Sequence, residues 1–208
     1  GVSFVTKANL GTSPISSIPY VLSLATKPTL GEYTIFFSLF LITLQILILG
    51  KKFKKESLLQ IPVSIVFGYF IDFSMFLLSW LNPENYAYRG VALILGCIIL
   101  GFGVYAEVIA DVVMLPGEAF VKAVTVRFKT DFGTTKVCFD ASMTIIAGVS
   151  AFIIFNKLNG VGIGTIIAAL IVGIIARFFI RKLVALTELL LGKPEESEEQ
   201  TFSNNGNN

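Results

Sequence analysis

Apolar residues along this chain gather into long runs separated by short polar breaks. Residues 33–50 carry no charge, and residues 57–81, 90–113, 137–155 and 163–180 are nearly as apolar. About 20 helical residues cover the roughly 30 Å hydrocarbon core of a bilayer, so each run predicts a spanning helix. Residues 1–7 read as the end of a further span. Between the runs lie a basic turn (Lys51, Lys52, Lys54, Lys55), a loop at 82–89 with Tyr86 and Tyr88 suited to the interface, and a Gly/Asn turn at 156–162. Residues 183–191 continue as an amphipathic or fraying helix. Residues 193–208 are polar and acidic, which predicts a disordered tail.

Two stretches do not fit this scheme. Residues 8–27 (ANLGTSPISSIPYVLSLATK) are too polar and too short to cross. Gly11, Thr12, Ser13 and Pro14 form a helix-start signal: a hydroxyl able to cap free N–H groups, then a proline suited to the first turn. Ser13, Ser16, Ser17, Tyr20 and Lys27 fall near one face at helical spacing, with Ile15, Ile18 and Leu22 opposite. Some 15 residues rise only about 22 Å, short of the hydrocarbon core. Residues 115–129 repeat the pattern after Leu115, Pro116, Gly117 and Glu118, with Glu118 able to cap its own helix. Both stretches predict half-helices that enter the membrane without crossing it. The alternative is a pair of amphipathic helices lying flat at the headgroups.

The two half-helices belong to a longer repeat. At an offset of 102, Gly1 pairs with Gly103, Ala8 with Ala110, Pro14 with Pro116, Lys27 with Lys129, Gly31 with Gly133 and Phe37 with Phe139. At an offset of 105, Ile61 pairs with Ile166, Gly68 with Gly173 and Phe73 with Phe178. Glycine and proline matches weigh most, because they mark backbone geometry. Each half reads span, half-helix, span, span. The fold expected is an all-α integral membrane protein of two inverted-topology repeats: 1–81, a loop at 82–89, 90–185, and a cytoplasmic tail at 186–208. The register predicts that the first span begins upstream of Gly1.

Three spans per half is an odd number, so the second half should be inverted. Charge supplies an independent check. With Lys51–Lys55 placed in the cytoplasm, twelve of the sixteen Lys and Arg residues fall on that side, against Lys7, Lys27, Arg89 and Lys157 outside. That bias follows the positive-inside rule and puts the C-terminus in the cytoplasm.

Composition narrows the chemistry. Of the 208 residues, 54% are hydrophobic and 14% charged, against about 25% charged in soluble domains; mean hydropathy is +0.80. The chain has no histidine, which excludes Ser-His-Asp and Cys-His catalysis and any imidazole relay. Cys97 and Cys138 sit inside apolar runs and read as small buried hydrophobes. The glycine-rich GFG and GVGIG stretches lack the strand and lysine of a nucleotide loop. No enzyme activity, cofactor or nucleic-acid partner is expected.

Ionisable groups in apolar runs are costly and usually face a cavity or a partner. Glu107 and Asp111 share one helix face, and Asp111 occupies the repeat position of Asn9. One reading is a cation or proton site built from Asn9, Glu107, Asp111 and Asp140, beside a solute site at Thr12, Ser13, Ser16, Ser17, Pro116, Gly117 and Glu118. The other is local salt bridges, Glu118 with Lys122 and Asp140 with Lys136. Glu107 has no basic partner in its own helix.

The stretch Ala8-Asn9-Leu10-Gly11-Thr12-Ser13-Pro14 resembles the signature of the YczE/YitT-like bacterial membrane proteins, as do Phe67-Gly68-Tyr69-Phe70-Ile71-Asp72 and Val112-Val113-Met114-Leu115-Pro116-Gly117-Glu118. The resemblance covers residues 1–185. It implies a multi-pass protein of the bacterial inner membrane and supplies no substrate. Two function classes remain: a small secondary transporter or permease for a solute or ion, and a non-transporting scaffold or regulator. The bilayer is the expected partner, and association with further copies stays open.

Overall fold

The computed structural model describes residues 1–50, 53–110 and 113–191, with the side chains of residue 109 and residues 180–191 excepted. The described chain is helical: α1 (Val2–Lys7), α2 (Pro14–Ala25), α3 (Leu30–Leu49), α4 (Gln60–Leu77), α5 (Tyr86–Ala110), α6 (Pro116–Phe128), α7 (Phe132–Phe155) and α8 (Ile163–Leu191). The short helices α2 and α6 start at Pro14 and Pro116, as the proline signals predict. The tail at 193–208 lies outside the described residues.

The remaining boundaries differ from expectation for local reasons. A 3₁₀ turn over Lys55–Leu59 precedes α4. Helix α5 begins inside the expected 82–89 loop, because the Asn85 carboxamide oxygen accepts the Ala87 N–H at 3.0 Å and starts the helix early. Arg89 then ties that loop down, donating Nε to the Pro83 carbonyl at 2.9 Å and lying over the Tyr86 ring. Helix α7 starts five residues early at Phe132, since Asp131 caps it by accepting the Thr134 N–H at 2.8 Å. That hydrogen bond holds the exposed Asp131 carboxyl below the usual carboxylate range. Helix α8 continues through 183–191.

Among the described residues four helical segments are long and apolar enough to cross a membrane, Leu30–Leu49, Lys55–Leu77, Tyr86–Val108 and Phe132–Phe155, while the expected span at 163–180 gives the shorter apolar helix Ile163–Phe179. Their outward faces are large and apolar; Phe76 and Ile153 are 76% and 73% exposed. In water such a surface would be far larger than the patches monomers tolerate, so it fits a protein embedded in lipid.

Helices α3 and α4 form an antiparallel pair with their backbones in close contact. A Cβ on Gly31 would strike the Gly68 carbonyl and the Asp72 carboxylate. Asp72 sits on α4 but caps α3: Oδ1 accepts the Gly31 N–H at 2.8 Å and Oδ2 the Thr29 hydroxyl at 2.6 Å. Thr29 and Glu32 complete a reciprocal capping box. The lone acid of the α4 run is therefore neutralised by the partial positive charge of a helix N-terminus. Elsewhere α1 runs antiparallel to α5, with Val5 on Gly96, and α5 packs along α8, with Gly101 on Ile175. The two short helices pack between distant elements: α2 on α7 and α3, and α6 on α3 and α7.

Candidate functional site

The segment joining α1 to α2 is held by the start of α8. Asn9 takes a left-handed conformation (φ 55°) just after α1. The Leu10 carbonyl accepts the Gly164 N–H at 2.8 Å. Gly11 has φ 122°, and a Cβ there would also strike the Thr165 hydroxyl, so this position admits only glycine. The Thr12 N–H donates to Thr165 Oγ1 at 3.2 Å, and the Thr12 and Thr6 hydroxyls lie 2.7 Å apart. Thr6 donates to the Val2 carbonyl at 2.8 Å, which leaves Thr12 as the donor between them.

At the start of α2, Ser13 occupies the N-cap position with an extended backbone, but it does not cap. Its hydroxyl donates instead to Ser16 Oγ at 2.9 Å. The Ser17 hydroxyl donates to the Pro14 carbonyl and lies 3.4 Å from the Met143 carbonyl on α7. Thr12, Ser13, Ser16 and Ser17 are all buried. Pro19 inside α2 removes one donor, so the helix carries fewer N–H groups needing a partner.

The start of α6 is held from two other helices. The Leu115 N–H donates to Glu107 Oε1 at 2.7 Å, so Glu107 rather than Glu118 does the capping. The Pro116 carbonyl accepts Gln45 Nε2 at 3.2 Å. Gln45 is 2% exposed and exchanges hydrogen bonds of 3.1 and 3.3 Å with Gln60 on α4. Pro116 and Gly117 are buried. A Cβ on Gly117 would strike Ile15, so the first turns of α2 and α6 are in direct contact.

The acids gather around one amine. Lys136 Nζ lies 2.7 Å from Asp140 Oδ1 and 3.7 Å from Glu118 Oε1. The expected Asp140–Lys136 pair forms. Glu118 turns to Lys136 across the α6–α7 packing, and its expected partner Lys122 points outward, exposed. Asn9 is exposed, and among the described residues no hydrogen bond joins its side chain to these acids. Asp111 lies outside the described residues. No group of three acids or cysteines able to hold a metal ion occurs among the described residues.

Sequence reasoning missed Gln45, Gln60, Thr6, Thr165 and the bridging role of Lys136. A signal for the first existed: Gln45 interrupts an apolar run, and a buried amide must find a partner. Hollows open beside Asp131 and Thr134 and beside Trp80 and Tyr88, away from the junction of α2 and α6.

Neither a curated protein nor a solved structure matches the chain. A family model does, over residues 1–181. The chain belongs to DUF6198, a family of unknown function.

Proposed function

We propose that residues 1–81 and 90–185 are inverted repeats, and that their half-helices meet at mid-membrane as the centre of a small secondary transporter. One observation carries this reading. Ile15 touches Gly117, and these residues are 102 apart, the repeat offset. On a two-fold axis a residue meets its own counterpart. The exchanged packing of α2 on α7 and α6 on α3 has the same symmetry. Broken helices that meet this way form the substrate site of many transporters, because their ends bring free N–H groups and dipoles into the membrane. In this reading Thr12, Ser13, Ser16, Ser17, Pro116, Gly117 and Glu118 line the pathway. Glu107 and Asp140 are its titratable groups, with Lys136 as their internal counter-ion.

The chain then lies in the bacterial inner membrane with its C-terminus in the cytoplasm. Reporter fusions after Lys55 and Lys193 should register cytoplasm, and one near Tyr86 the outside. A fusion at 130–134 that registers the outside rejects the inversion.

The scaffold alternative also has an observation in its favour, since the Ser13 and Ser17 hydroxyls are spent inside the first turns of α2, on Ser16 and on the Pro14 carbonyl. Water decides between them. In a chain with Cys97→Ala and Cys138→Ser, single replacements Ser13→Cys, Ser16→Cys and Glu118→Cys should react with a water-soluble maleimide in membranes. Protection of all three sites would favour the scaffold.

Glu107→Gln tests the coupling role. The amide oxygen can still accept the Leu115 N–H, so folding should persist while the titratable charge is lost. Dye-detected proton flux into reconstituted vesicles should vanish in this variant. Unchanged flux would remove Glu107 from the pathway.

A further inference from the structure

The two repeats differ at the seam between their last two helices. In the first, α3 and α4 are clasped by four residues: Gly31 lies against Gly68, and Asp72 accepts from Thr29 and from the Gly31 N–H. The repeat offsets carry these positions onto the second half. Thr29 becomes Asp131, Gly31 becomes Gly133, Gly68 becomes Gly173 and Asp72 becomes Arg177. Both glycines are kept. The polar pair changes from hydroxyl and carboxylate to carboxylate and guanidinium, which remain complementary.

The second seam is nevertheless not made. No described atom lies within 4 Å of a Cβ placed on Gly173, and one on Gly133 meets only the Asp131 carboxylate at 3.2 Å. Arg177 is exposed and donates Nε to the Gly173 carbonyl of its own helix at 3.1 Å. Asp131 is exposed and accepts from its own first turn, from the Thr134 N–H at 2.8 Å and the Thr134 hydroxyl at 3.1 Å. Among the described residues the ion pairs are those of Lys136 alone. Helix α7 packs on α2 and α6, while α8 packs on α5 and α2. Thus the elements of a second clasp are present and unengaged among the described residues.

We propose that in a second state of the protein the α7–α8 seam closes, setting Gly133 against Gly173 and pairing Asp131 with Arg177. This rests on the inverted-repeat reading. In that topology the Thr29–Asp72 clasp lies at the outer face and the Asp131–Arg177 clasp at the cytoplasmic face. The present structure is then the state closed outside and open to the cytoplasm. Glycine at both contact points lets the backbones approach as closely as α3 and α4 do. Asp131 stays ionised because its cap bonds favour the charged form, so it is ready to pair on closure. The Arg177 stem is long enough to swing from its own helix carbonyl to a neighbouring carboxylate.

The test is oxidative cross-linking in native membranes, in the full chain with Cys97→Ala and Cys138→Ser. Two cysteine pairs are compared. Ile15→Cys with Gly117→Cys reports the repeat axis, and Gly133→Cys with Gly173→Cys reports the second seam. A disulfide needs Cα atoms within about 7 Å, which the open seam denies and the closed seam supplies. Both pairs should cross-link. Adding Arg177→Asp should cut the Gly133–Gly173 yield about fivefold, and adding Asp131→Arg to that should restore it. Cross-linking at the axis but not at the seam overturns the proposal and leaves the repeat reading standing. A seam that cross-links equally well with either charge reversed overturns the clasp. Failure at both pairs removes the repeat reading, and the seam falls with it.

Discussion

Alanine at Gly31 is expected to destabilise the protein by about 3 kcal/mol, the upper end of the range for overpacking. The added methyl would strike the Gly68 carbonyl and the Asp72 carboxylate. The first is backbone inside α4, and the second is pinned by two hydrogen bonds to α3. Neither can step aside without parting the helices and uncapping α3. At this chain length each kcal/mol moves the melting temperature by about 2–4 °C, so a fall of roughly 6–12 °C should be seen in detergent. Gly117→Ala makes a useful contrast. Its clash is with the end of the Ile15 side chain, which can rotate, so the cost should be nearer 1 kcal/mol. Ile15→Ala added to Gly117→Ala should recover most of that loss, whereas no side-chain truncation on α4 should rescue Gly31→Ala. A Gly31→Ala protein that melts with the wild type would mean that α3 and α4 are not in backbone contact.

The Gln45–Gln60 pair supplies the second large effect. Gln45→Leu fills a similar volume but leaves the Gln60 carboxamide buried without its partner. An unsatisfied buried polar group costs about 1–3 kcal/mol. Replacing both glutamines by leucine removes the orphaned group, so the double variant should be more stable than Gln45→Leu alone. The Pro116 carbonyl, at the first position of α6, keeps its place in the helical ladder in either variant. If the two substitutions simply add, the amides act independently and the pair does not anchor the start of α6. If the pair does anchor it, the Ile15–Gly117 contact should loosen in Gln45→Leu, seen as stronger maleimide labelling of Glu118→Cys.

Helix placement was legible in the chain because it depends on local physics. Long apolar runs predicted the four segments long and apolar enough to span, since an unpaired backbone group cannot face lipid. Pro14 and Pro116 marked the starts of α2 and α6, because a missing N–H costs least in a first turn. The errors at helix ends were also local, arising from the Asn85 and Asp131 caps, which extend α5 and α7 beyond their apolar cores. Contacts between helices were another matter. Spacing offered Glu118 a partner four residues on at Lys122, and only the packing of α6 against α7 brought Lys136 to it. Nothing local distinguishes an Asp72 that caps a neighbouring helix from one that binds a cation; the approach of Gly31 to Gly68 decides it. Gln45 and Gln60 lie in different helices, so their need for partners was visible but their pairing was not. Sequence determined the elements because each is stabilised within a few turns. Tertiary structure alone decided which polar groups are spent on packing, because that depends on residues brought together from distant parts of the chain.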